Sequence, residues 1–360
     1  MAATSKEPKL NKTADKAAKT TRGDGFFHRL LRLARQETIG MDIGSDFIRI
    51  CTREQGILLE EPSVVSVSRM NGEVLRYGRD ALQLVGRSAG AERSVRPIRS
   101  GAVEHYNLAL QLIQYFLRSA CGTMIRQPNV VLSVPSGLND VQTRNLMMAL
   151  SEAGVSRTYL VETSRAAAMG AGVNLSRPVG RLVVDIGSGK TELALLSLNG
   201  VVQNAFLPWG GRAFDAAILQ YLRTSRGLLV GEERAERIKW HMGLLSRRFP
   251  EVVHKVKGRN QKTGLPFEIF LSSAELEDPL AVQALRLVEA IQRLIEKAPP
   301  ELLPDILNNG ILLTGGGSQL RGLGDLITRM TGVKTVRAET PQRCVILGLR
   351  AAIVDMKKND

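Results

Sequence analysis

The feature that most constrains the fold is a motif, Asp-Ile-Gly-Ser, that occurs at residues 42–45 and again at residues 185–188. An apolar run precedes each copy, and a second strand-like run follows it, at residues 47–52 and residues 193–198. Such runs on both sides of an acidic glycine turn predict a β-hairpin that carries aspartate at its bend. The copies lie 143 residues apart, which is too far for a solenoid repeat and predicts a duplicated α/β domain.

The rest of the chain alternates between strand and helix patterns, as α/β proteins do. Further strands are predicted at residues 130–134, 158–161 and 310–313. Helices are predicted at residues 107–120, 139–153, 232–243, 280–296 and 319–330. A chain of 360 residues suits two domains or one large divided domain.

Three glycine-rich turns follow predicted strands, at residues 42–45, 185–191 and 314–318. Glycine turns expose successive backbone N–H groups and let anionic oxygens approach closely, so these turns are candidate phosphate sites. The triple glycine of the third turn precedes the helix predicted from residue 319, and a helix N-terminus favours an anion. Asp42 and Asp185, on opposing turns, could hold Mg²⁺ through water. Any one of these turns alone could equally be a plain tight turn.

The chain resembles the MreB family of bacterial actin homologues, within the superfamily of actin, sugar kinases and heat-shock ATPases. The resemblance runs from about residue 39 to residue 354. The stretches that carry it are residues 42–44, 56–65, 77–81, 96–103, 134–137, 166–172, 184–192, 197–202, 231–239 and 313–321. It implies an α/β actin-like duplicated fold with a central nucleotide cleft, and head-to-tail filaments. The implied halves are residues 37–178, with a small insert at about 66–96, and residues 179–355, with an insert at about 211–274.

The resemblance also implies a role for individual cleft residues. ATP or ADP would lie on the phosphate turns, with Mg²⁺ held through water by Asp42 and Asp185. The helix that carries Glu236 and Lys239 would face the adenosine, although a solvated helix face is the alternative for these two. The implied nucleotide-binding residues are Gly44, Ser45, Gly187, Ser188, Gly189, Thr191, Glu236, Lys239 and, beneath the nucleotide, Gly315, Gly316 and Gly317.

Two departures from the family pattern fall in the phosphate turns. The first turn is followed by Asp46, Phe47 and Ile48, where the family has small or polar residues. The Asp46 carboxylate would repel a triphosphate unless it turns away or meets a cation. In the second turn, where the family usually has Gly-Gly-Gly-Thr-Thr, this chain reads Gly187-Ser-Gly-Lys-Thr191. Lys190 could offset the new acid, touch a phosphate or point to solvent, and the sequence does not choose among these.

A third departure concerns hydrolysis. The family's Glu-Glu-Pro segment, whose second glutamate helps to position the attacking water, reads Glu162-Thr163-Ser164 here. A threonine hydroxyl at Thr163 can orient water but is a poor base at neutral pH. Glu162 lies one position early, and at a strand end it would face the other way. Slow or absent ATP hydrolysis is therefore expected.

The charge of the chain is concentrated at its N-terminus. The chain carries +14, and residues 1–36 contribute +6 through nine basic and three acidic residues. Residues 1–24 are predicted to be a disordered basic tail. Residues 25–36 form an amphipathic helix on a helical projection, with apolar residues on one side and arginines on the other. The proposed membrane contacts are Phe26, Phe27, Leu30, Leu31, Leu33, Arg29, Arg32 and Arg35.

This pattern is typical of a helix that lies in the headgroup plane of an anionic membrane. Docking of the helix on the protein's own core or on a partner is the alternative. An apolar loop with Met124 and Ile125 matches a second membrane contact that some family members use, although ordinary packing would account for it equally well. No apolar run reaches the length of about 20 residues that a transmembrane helix needs, and no secretory signal is evident. The expected location is the cytoplasm, peripheral to the inner face of the inner membrane.

The predicted function is a membrane-associated, ATP-binding, actin-like filament protein that organises cell shape or envelope growth. Its expected partners are copies of itself, anionic inner-membrane lipids, other MreB-like subunits and membrane proteins of envelope synthesis. A sugar-kinase-type enzyme of the same superfamily is one alternative, but no aspartate placed as a base for a substrate hydroxyl stands out. A basic partition or nucleic-acid-associated filament protein is another. Aromatic residues are scarce and no base-reading motif occurs, so no specific nucleic acid is expected.

Overall fold

The computed structural model describes residues 37–84, 90–122, 127–246 and 248–359, with side chains up to residue 356. The predicted tail at residues 1–24, the predicted amphipathic helix at residues 25–36, and Met124 and Ile125 lie outside the described residues. Within the described part of the chain, no helix combines the length and the apolar character needed to cross a bilayer.

Two five-stranded sheets form the framework. The strands of the first sheet, in spatial order, are β10 (Arg157–Glu162), β9 (Asn129–Val134), β1 (Thr38–Ile43), β2 (Phe47–Thr52) and β3 (Gly56–Pro62). Those of the second sheet, in the corresponding order, are β18 (Thr335–Arg337), β17 (Ile311–Thr314), β11 (Arg181–Ile186), β12 (Thr191–Ser197) and β13 (Gly200–Leu207).

The two sheets have the same topology, which confirms the predicted duplication. Each begins with an antiparallel hairpin, β1–β2 or β11–β12, and continues into a third antiparallel strand. On the other side of each hairpin two strands run parallel to its first strand. The predicted strands at residues 130–134, 158–161 and 310–313 are all present, within one residue at most of their bounds.

Two smaller sheets lie outside the two large ones, within residues 65–95 and 228–272. The first combines β4 (Val65–Ser68), β5 (Val74–Tyr77) and β6 (Glu92–Val95). The second combines β14 (Leu228–Leu229), β15 (Val253–Asn260) and β16 (Pro266–Ser272). A two-stranded ribbon of β7 (Ile98–Arg99) and β8 (Ala102–Val103) lies between the first of these sheets and the helix that follows.

Ten helices connect and cover the sheets in the part of the chain that the structure describes. They are α1 (Gly78–Leu82), α2 (Tyr106–Cys121), α3 (Asp140–Glu152), α4 (Thr163–Gly170), α5 (Gly211–Arg226), α6 (Glu232–Met242), α7 (Ser273–Glu296), α8 (Leu303–Asn309), α9 (Leu323–Thr331) and α10 (Cys344–Asn359). Three of the five predicted helices match closely.

Two predicted helix starts were wrong. The helix expected from residue 280 begins at Ser273, because Ser272 and Glu275 form a capping box that holds its first turn. The helix expected from residue 319 begins at Leu323. A short 3₁₀ turn, Gly316–Gln319, precedes it, and Gly322 at φ 80° separates the two.

The two halves meet through a pair of helices, α4 and α10, between the sheets. Alanines of α4 and residues of α10 join one buried cluster with Cys51 and Val131 of the first sheet and with Val183 and Ala194 of the second. The helices approach closely because each has a glycine at the crossing. A Cβ on Gly170 would lie 1.7 Å from Cys344 O, and one on Gly348 would lie 1.8 Å from Ala166 O. The C-terminal helix α10 packs mainly on the first sheet, although its residues follow the second.

Candidate functional site

A cleft of about 410 Å³ lies between the two halves, where the hairpin turns of both sheets face each other. The third glycine turn and helices α4, α5 and α6 complete its walls. The structure brings fourteen of the sequence-predicted residues into this one cleft: Asp42, Gly44, Ser45, Thr163, Asp185, Gly187, Ser188, Gly189, Lys190, Glu236, Lys239, Gly315, Gly316 and Gly317.

Two predicted residues lie outside the cleft lining. Thr191 is fully buried, and its hydroxyl donates to the Trp209 carbonyl at 2.9 Å, so it supports the second turn from behind. Glu162 ends strand β10 and is exposed, whereas Thr163, the next residue, is buried and begins helix α4. Of these two neighbours only Thr163 faces the cleft.

The Thr163 hydroxyl is an unusual polar group in this wall. The residue is 3% exposed, and its Oγ1 has no hydrogen-bond partner among the described residues. A buried hydroxyl without a partner carries a desolvation cost that a bound water or ligand atom would remove. Its place at the cleft therefore makes it a candidate to hold a small polar ligand atom.

The first turn, between β1 and β2, is tied to the rest of the cleft through Ser45. Gly44 N–H donates to Phe47 O at 2.9 Å, which closes the turn. Ser45 Oγ accepts from Ser100 N–H at 2.8 Å, and the Ser100 hydroxyl donates to Gly189 O at 3.0 Å. Ser100 therefore bridges the turns of the two hairpins.

Asp46, which follows this turn, meets two cations. Arg212 near the start of α5 donates to its carboxylate, and Arg96 lies 3.2 Å from it. Burial alone would raise the pKa of Asp46, but these guanidinium groups and a hydrogen bond from Ser188 outweigh burial and hold the pKa below its ordinary value. Of the two outcomes expected for this acid, the structure shows the one in which it meets a cation.

The second turn, between β11 and β12, is closed in the same way, since Gly187 N–H donates to Lys190 O at 2.9 Å. Lys190, in the turn, pairs with Glu192 of β12. Glu192 is fully buried, and its second oxygen accepts from Ser136 N–H at 3.1 Å. Lys190 thus neutralises an acid of its own hairpin, an arrangement that none of the three sequence-based alternatives included.

The two aspartates of the motif lie in different surroundings. Ser133 Oγ donates to Asp42 Oδ1 at 2.9 Å, and Arg49 Nη1 lies 3.5 Å from Asp42 Oδ2. Asp185 is buried and accepts from the Thr314 hydroxyl at 2.7 Å. Burial raises the pKa of Asp185 to about 6, although the positive charge of Lys190 opposes that rise.

These surroundings do not fit a conventional Mg²⁺ site. A hydrated Mg²⁺ needs carboxylate oxygens that are free to accept from its waters. Here both oxygens of Asp42 already face protein donors, and Asp185 is buried with one oxygen held by the Thr314 hydroxyl. In the part of the chain that the structure describes, no three His, Cys, Asp or Glu side chains gather as a metal-binding group. The Mg²⁺ assignment stays a prediction that the cleft's own side chains disfavour.

The opposite wall of the cleft is helix α6, which carries Glu236 and Lys239. Lys239 is held by protein groups: its Nζ lies 2.8 Å from Asp215 Oδ1 and donates to Gly211 O at 3.1 Å. Burial raises the pKa of Asp215 to about 6 despite this ion pair. Lys239 therefore braces α6 against α5, and the alternative of a solvated helix face does not describe it. Glu236 is half-buried at the cleft.

The third glycine turn packs directly on the end of β11. Gly315 has φ 78°, and a Cβ there would lie 2.3 Å from Ile186 O. A Cβ on Gly317 would lie 2.5 Å from the Ile186 side chain. Glycine is required at both positions, because only a bare backbone reaches the floor of the cleft.

The polar residues of the site and its supports that sequence reasoning missed include Arg49, Glu60, Ser100, Ser133, Arg212 and Asp215. One of them had a readable signal. In the predicted hairpin, Arg49 is the residue that pairs with Asp42, so the two share one face of the sheet. The others come from distant segments and depend on tertiary packing.

Comparisons with known proteins place the whole described body in one family. The family described as MreB/Mbl protein matches residues 36–360. The cell shape-determining protein MreB of Escherichia coli K12 is 36% identical over 330 residues, which cover 89% of this chain and 95% of that protein. The cell shape-determining protein Mbl of Bacillus subtilis is 32% identical over 324 residues, covering 89% and 96%.

Solved structures agree with this assignment. MreB5 of Spiroplasma citri bound to AMPPNP has a TM-score of 0.86 and 29% identity, covering 90% of this chain and 98% of that one. The subunit of the MamK double helical filament, at 19% identity and a TM-score of 0.74, shares the fold. The fold is therefore actin-like, as expected. The chain belongs to the MreB/Mbl family.

Proposed function

We propose that this chain is a membrane-associated, actin-like cytoskeletal protein that binds ATP or ADP in the cleft and polymerises into filaments that organise cell shape or envelope growth. The observation that carries the proposal is the convergence of three glycine turns and the α6 wall on a single cleft. The relatives named above are cell shape-determining proteins, and solved MreB5 structures hold AMPPNP or ADP. Heterologous contacts that do not close into a ring generate open filaments.

Weak hydrolysis is part of the proposal and rests on Thr163. Its hydroxyl is buried at the cleft and has no partner among the described residues, so it can hold a water. A threonine hydroxyl, unlike a carboxylate, is too weak a base to accept the proton of that water. Glu162, the neighbouring acid, is exposed outside the cleft lining. We therefore expect a long-lived ATP state in the filament.

The membrane part of the proposal rests on the sequence of residues 25–36. One short helix with an arginine face binds an anionic bilayer only weakly, at about 1 kcal/mol for each basic residue near the surface. Many copies along a filament would bind strongly through avidity. The proposed partners are therefore self, anionic lipids of the inner membrane and, through the filament, other MreB-like subunits and membrane proteins of envelope synthesis.

Filament formation and turnover can be tested together with the purified full chain. Sedimentation and electron microscopy with ATP, ADP or a nonhydrolysable analogue should give filaments, with phosphate release far slower than assembly. Thr163→Glu should raise turnover, and Thr163→Val, which keeps the shape and removes the hydroxyl, should not. Turnover of the unaltered chain as fast as that of Escherichia coli MreB would contradict the hydrolysis part. Failure of any nucleotide to bind would contradict the whole proposal.

Membrane binding is tested separately by sedimentation with vesicles of phosphatidylglycerol or of phosphatidylcholine. The full chain should pellet with the anionic vesicles only, and a chain without residues 1–36 should stay in the supernatant. A matched variant with Leu30 and Leu31 changed to glutamate tests the apolar face while it keeps the three arginines. Unchanged pelleting of the shortened chain would refute the anchor.

A further inference from the structure

The end of the cleft that would face phosphates has its own cations. Arg49 lines the cleft and is 9% exposed. Its Nη1 lies 3.5 Å from Asp42 Oδ2, and its Nε donates to Glu60 Oε1 at 2.9 Å. Arg343 holds the other oxygen of Glu60 at 2.7 Å. The Arg49 guanidinium is thus held between two carboxylates and stays beside the first hairpin turn.

In the second hairpin the cation at the cleft is Lys190, which lies in the turn between β11 and β12. It lines the cleft, pairs with the buried Glu192 and lies close enough to Asp185 to act on its carboxylate. Glu192 is also fixed by Ser136 N–H of the opposite half. Arg49 therefore lies beside Asp42, and Lys190, paired with Glu192, lines the same cleft as Asp185.

Two further acids of the cleft are paired with protein cations. Asp46 is paired with Arg212 and Arg96, and Asp215 is paired with Lys239. A divalent ion assists a bound nucleotide by offsetting phosphate charge, and it needs unpaired carboxylates to stay in place. Here Asp42, Asp46 and Asp215 lie beside protein cations, and Asp185 accepts a hydrogen bond from Thr314. Arg and Lys side chains are themselves good phosphate partners in a partly buried site.

From these contacts we infer that Arg49 and Lys190 replace the divalent cation in this cleft, so that the chain binds a nucleoside diphosphate or triphosphate without requiring Mg²⁺. The inference rests on the proposed nucleotide function and adds that binding of the nucleotide does not depend on a metal ion. On arrival of the phosphates, Arg49 and Lys190 would share their charge between the carboxylates and the phosphate oxygens.

The test is nucleotide binding to the full chain by calorimetry, with ADP and with AMPPNP, in millimolar MgCl₂ or in EDTA. The Kd of the unaltered chain should change by less than about threefold between the two conditions. Addition of Mn²⁺ in place of Mg²⁺ and electron paramagnetic resonance give a second readout, which should show no Mn²⁺ bound beyond that held by free nucleotide.

Variants assign the effect to the two cations. Arg49→Met with Lys190→Met should weaken binding in EDTA by more than about tenfold, and Mg²⁺ should restore most of the loss. Arg49→Lys keeps the charge and should keep metal-independent binding. Lys255→Met removes a lysine that pairs with Glu268 outside the cleft and serves as the matched control. Lys190→Met alone supplies the test if the double variant does not fold.

The outcomes separate this inference from the proposed function. Binding that is lost in EDTA, or Mn²⁺ seen in the complex, overturns the inference and leaves the nucleotide function standing. The inference is also overturned if the Kd of the Arg49 and Lys190 variants changes between MgCl₂ and EDTA no more than that of the unaltered chain. Absence of binding in both conditions overturns the proposed function itself.

Discussion

The turn of the first hairpin, β1–β2, and the turn of the second, β11–β12, have equivalent backbones and different charges. Gly44 N–H donates to Phe47 O and Gly187 N–H donates to Lys190 O, both at 2.9 Å. The residue opposite the motif aspartate differs in sign, however. Asp42 pairs in register with Arg49, whereas Asp185 pairs in register with Glu192.

This difference decides where each hairpin finds its neutralising charge. In the first hairpin Arg49 serves Asp42 directly, and the additional acid Asp46 reaches across to Arg212 in the other half. In the second hairpin two acids face each other and Lys190 of the same turn compensates them. The two hairpins share the shape of the turn, which the proposed phosphate sites need, and differ in the charges around it.

The largest effect on stability is expected at the crossing of α4 and α10, the contact that holds the two halves, and so the two hairpins, together. Gly348→Ala places a Cβ 1.8 Å from Ala166 O, so α4 and α10 must separate. Alanine is the better helix former by about 1 kcal/mol, so a purely local effect would stabilise α10. We expect instead a loss of about 4 kcal/mol in the free energy of unfolding, measured by denaturant titration.

Gly90→Ala is the matched control, because a Cβ there meets no atom within 4 Å and the residue is exposed outside the helices and strands. It should leave the midpoint of unfolding nearly unchanged. A Gly348→Ala protein as stable as the control would mean that the two halves do not depend on this helix crossing.

The second prediction compares how the stability of the protein depends on pH through Asp185 of the second hairpin and Asp46 of the first. Burial raises the pKa of Asp185 to about 6, so its contribution to stability is complete below its ordinary pKa near 3.8 and is lost as pH rises through about 6. Asp185→Asn removes this dependence. The free energy of unfolding of the variant, relative to that of the unaltered chain, should rise by about 2 kcal/mol between pH 4 and pH 7. This is most of the effect expected at about 1.4 kcal/mol per unit of pKa.

Asp46 should behave in the opposite way, because its pKa is held below the ordinary value. Its contribution is complete above about pH 4 and is lost only as pH falls through its lowered pKa. Unfolding of Asp46→Asn followed from pH 5 to pH 7 should therefore run parallel to the unaltered chain. Parallel curves for Asp185→Asn as well would show that its carboxylate ionises freely, against the burial seen here.

A smaller effect is expected from the ion pair that links the first hairpin to the second half. Arg212 is 35% exposed at its side chain, so solvent screens its pairing with Asp46. A double-mutant cycle of Asp46→Asn and Arg212→Met should give a coupling of about 1 kcal/mol that decreases with salt. The same cycle with Lys255→Met in place of Arg212→Met should be additive. Equal coupling in both cycles would remove Arg212 as the specific partner.

The sequence predicted the hairpins and the duplicated sheets because their signals are local. Apolar runs and glycine turns lie within a few residues of one another, and the same pattern occurs twice. The capping pair Ser272 and Glu275 was also readable, so the late start assigned to α7 reflects a missed signal. The partner of Lys190 is also close in sequence, since Glu192 lies only two residues further along the chain.

The charges across the cleft could not be predicted in this way. Arg212 and Asp46 are 166 residues apart, and their meeting depends on how two sheets and α5 pack. The same holds for Ser100, which joins turns from both hairpins. Thr163 was identified only through the family resemblance, and its lack of a partner among the described residues is a property of the packed structure.

The smallest effect on stability is expected at a pair of core positions where the two hairpins place the larger side chain on opposite strands. Cys51 faces Gly40 across the first hairpin, and the equivalent pair in the second is Ala194 and Val183. A Cβ on Gly40 would lie 2.7 Å from Cys51 Sγ, so the sulfur fills the space that the absent side chain leaves. Cys51→Ala should cost about 0.5 kcal/mol, at the low end for removal of one buried heavy atom.

The thiol itself supplies the second readout for that position. Burial raises the pKa of Cys51 to about 11, so its thiolate is scarce at pH 8 and the native protein should label very slowly there with a thiol reagent. Cys121, which is only half-buried, should react first. A loss above about 2 kcal/mol in the free energy of unfolding of Cys51→Ala would contradict this prediction. It would show that the sheet is too rigid to close around the smaller side chain.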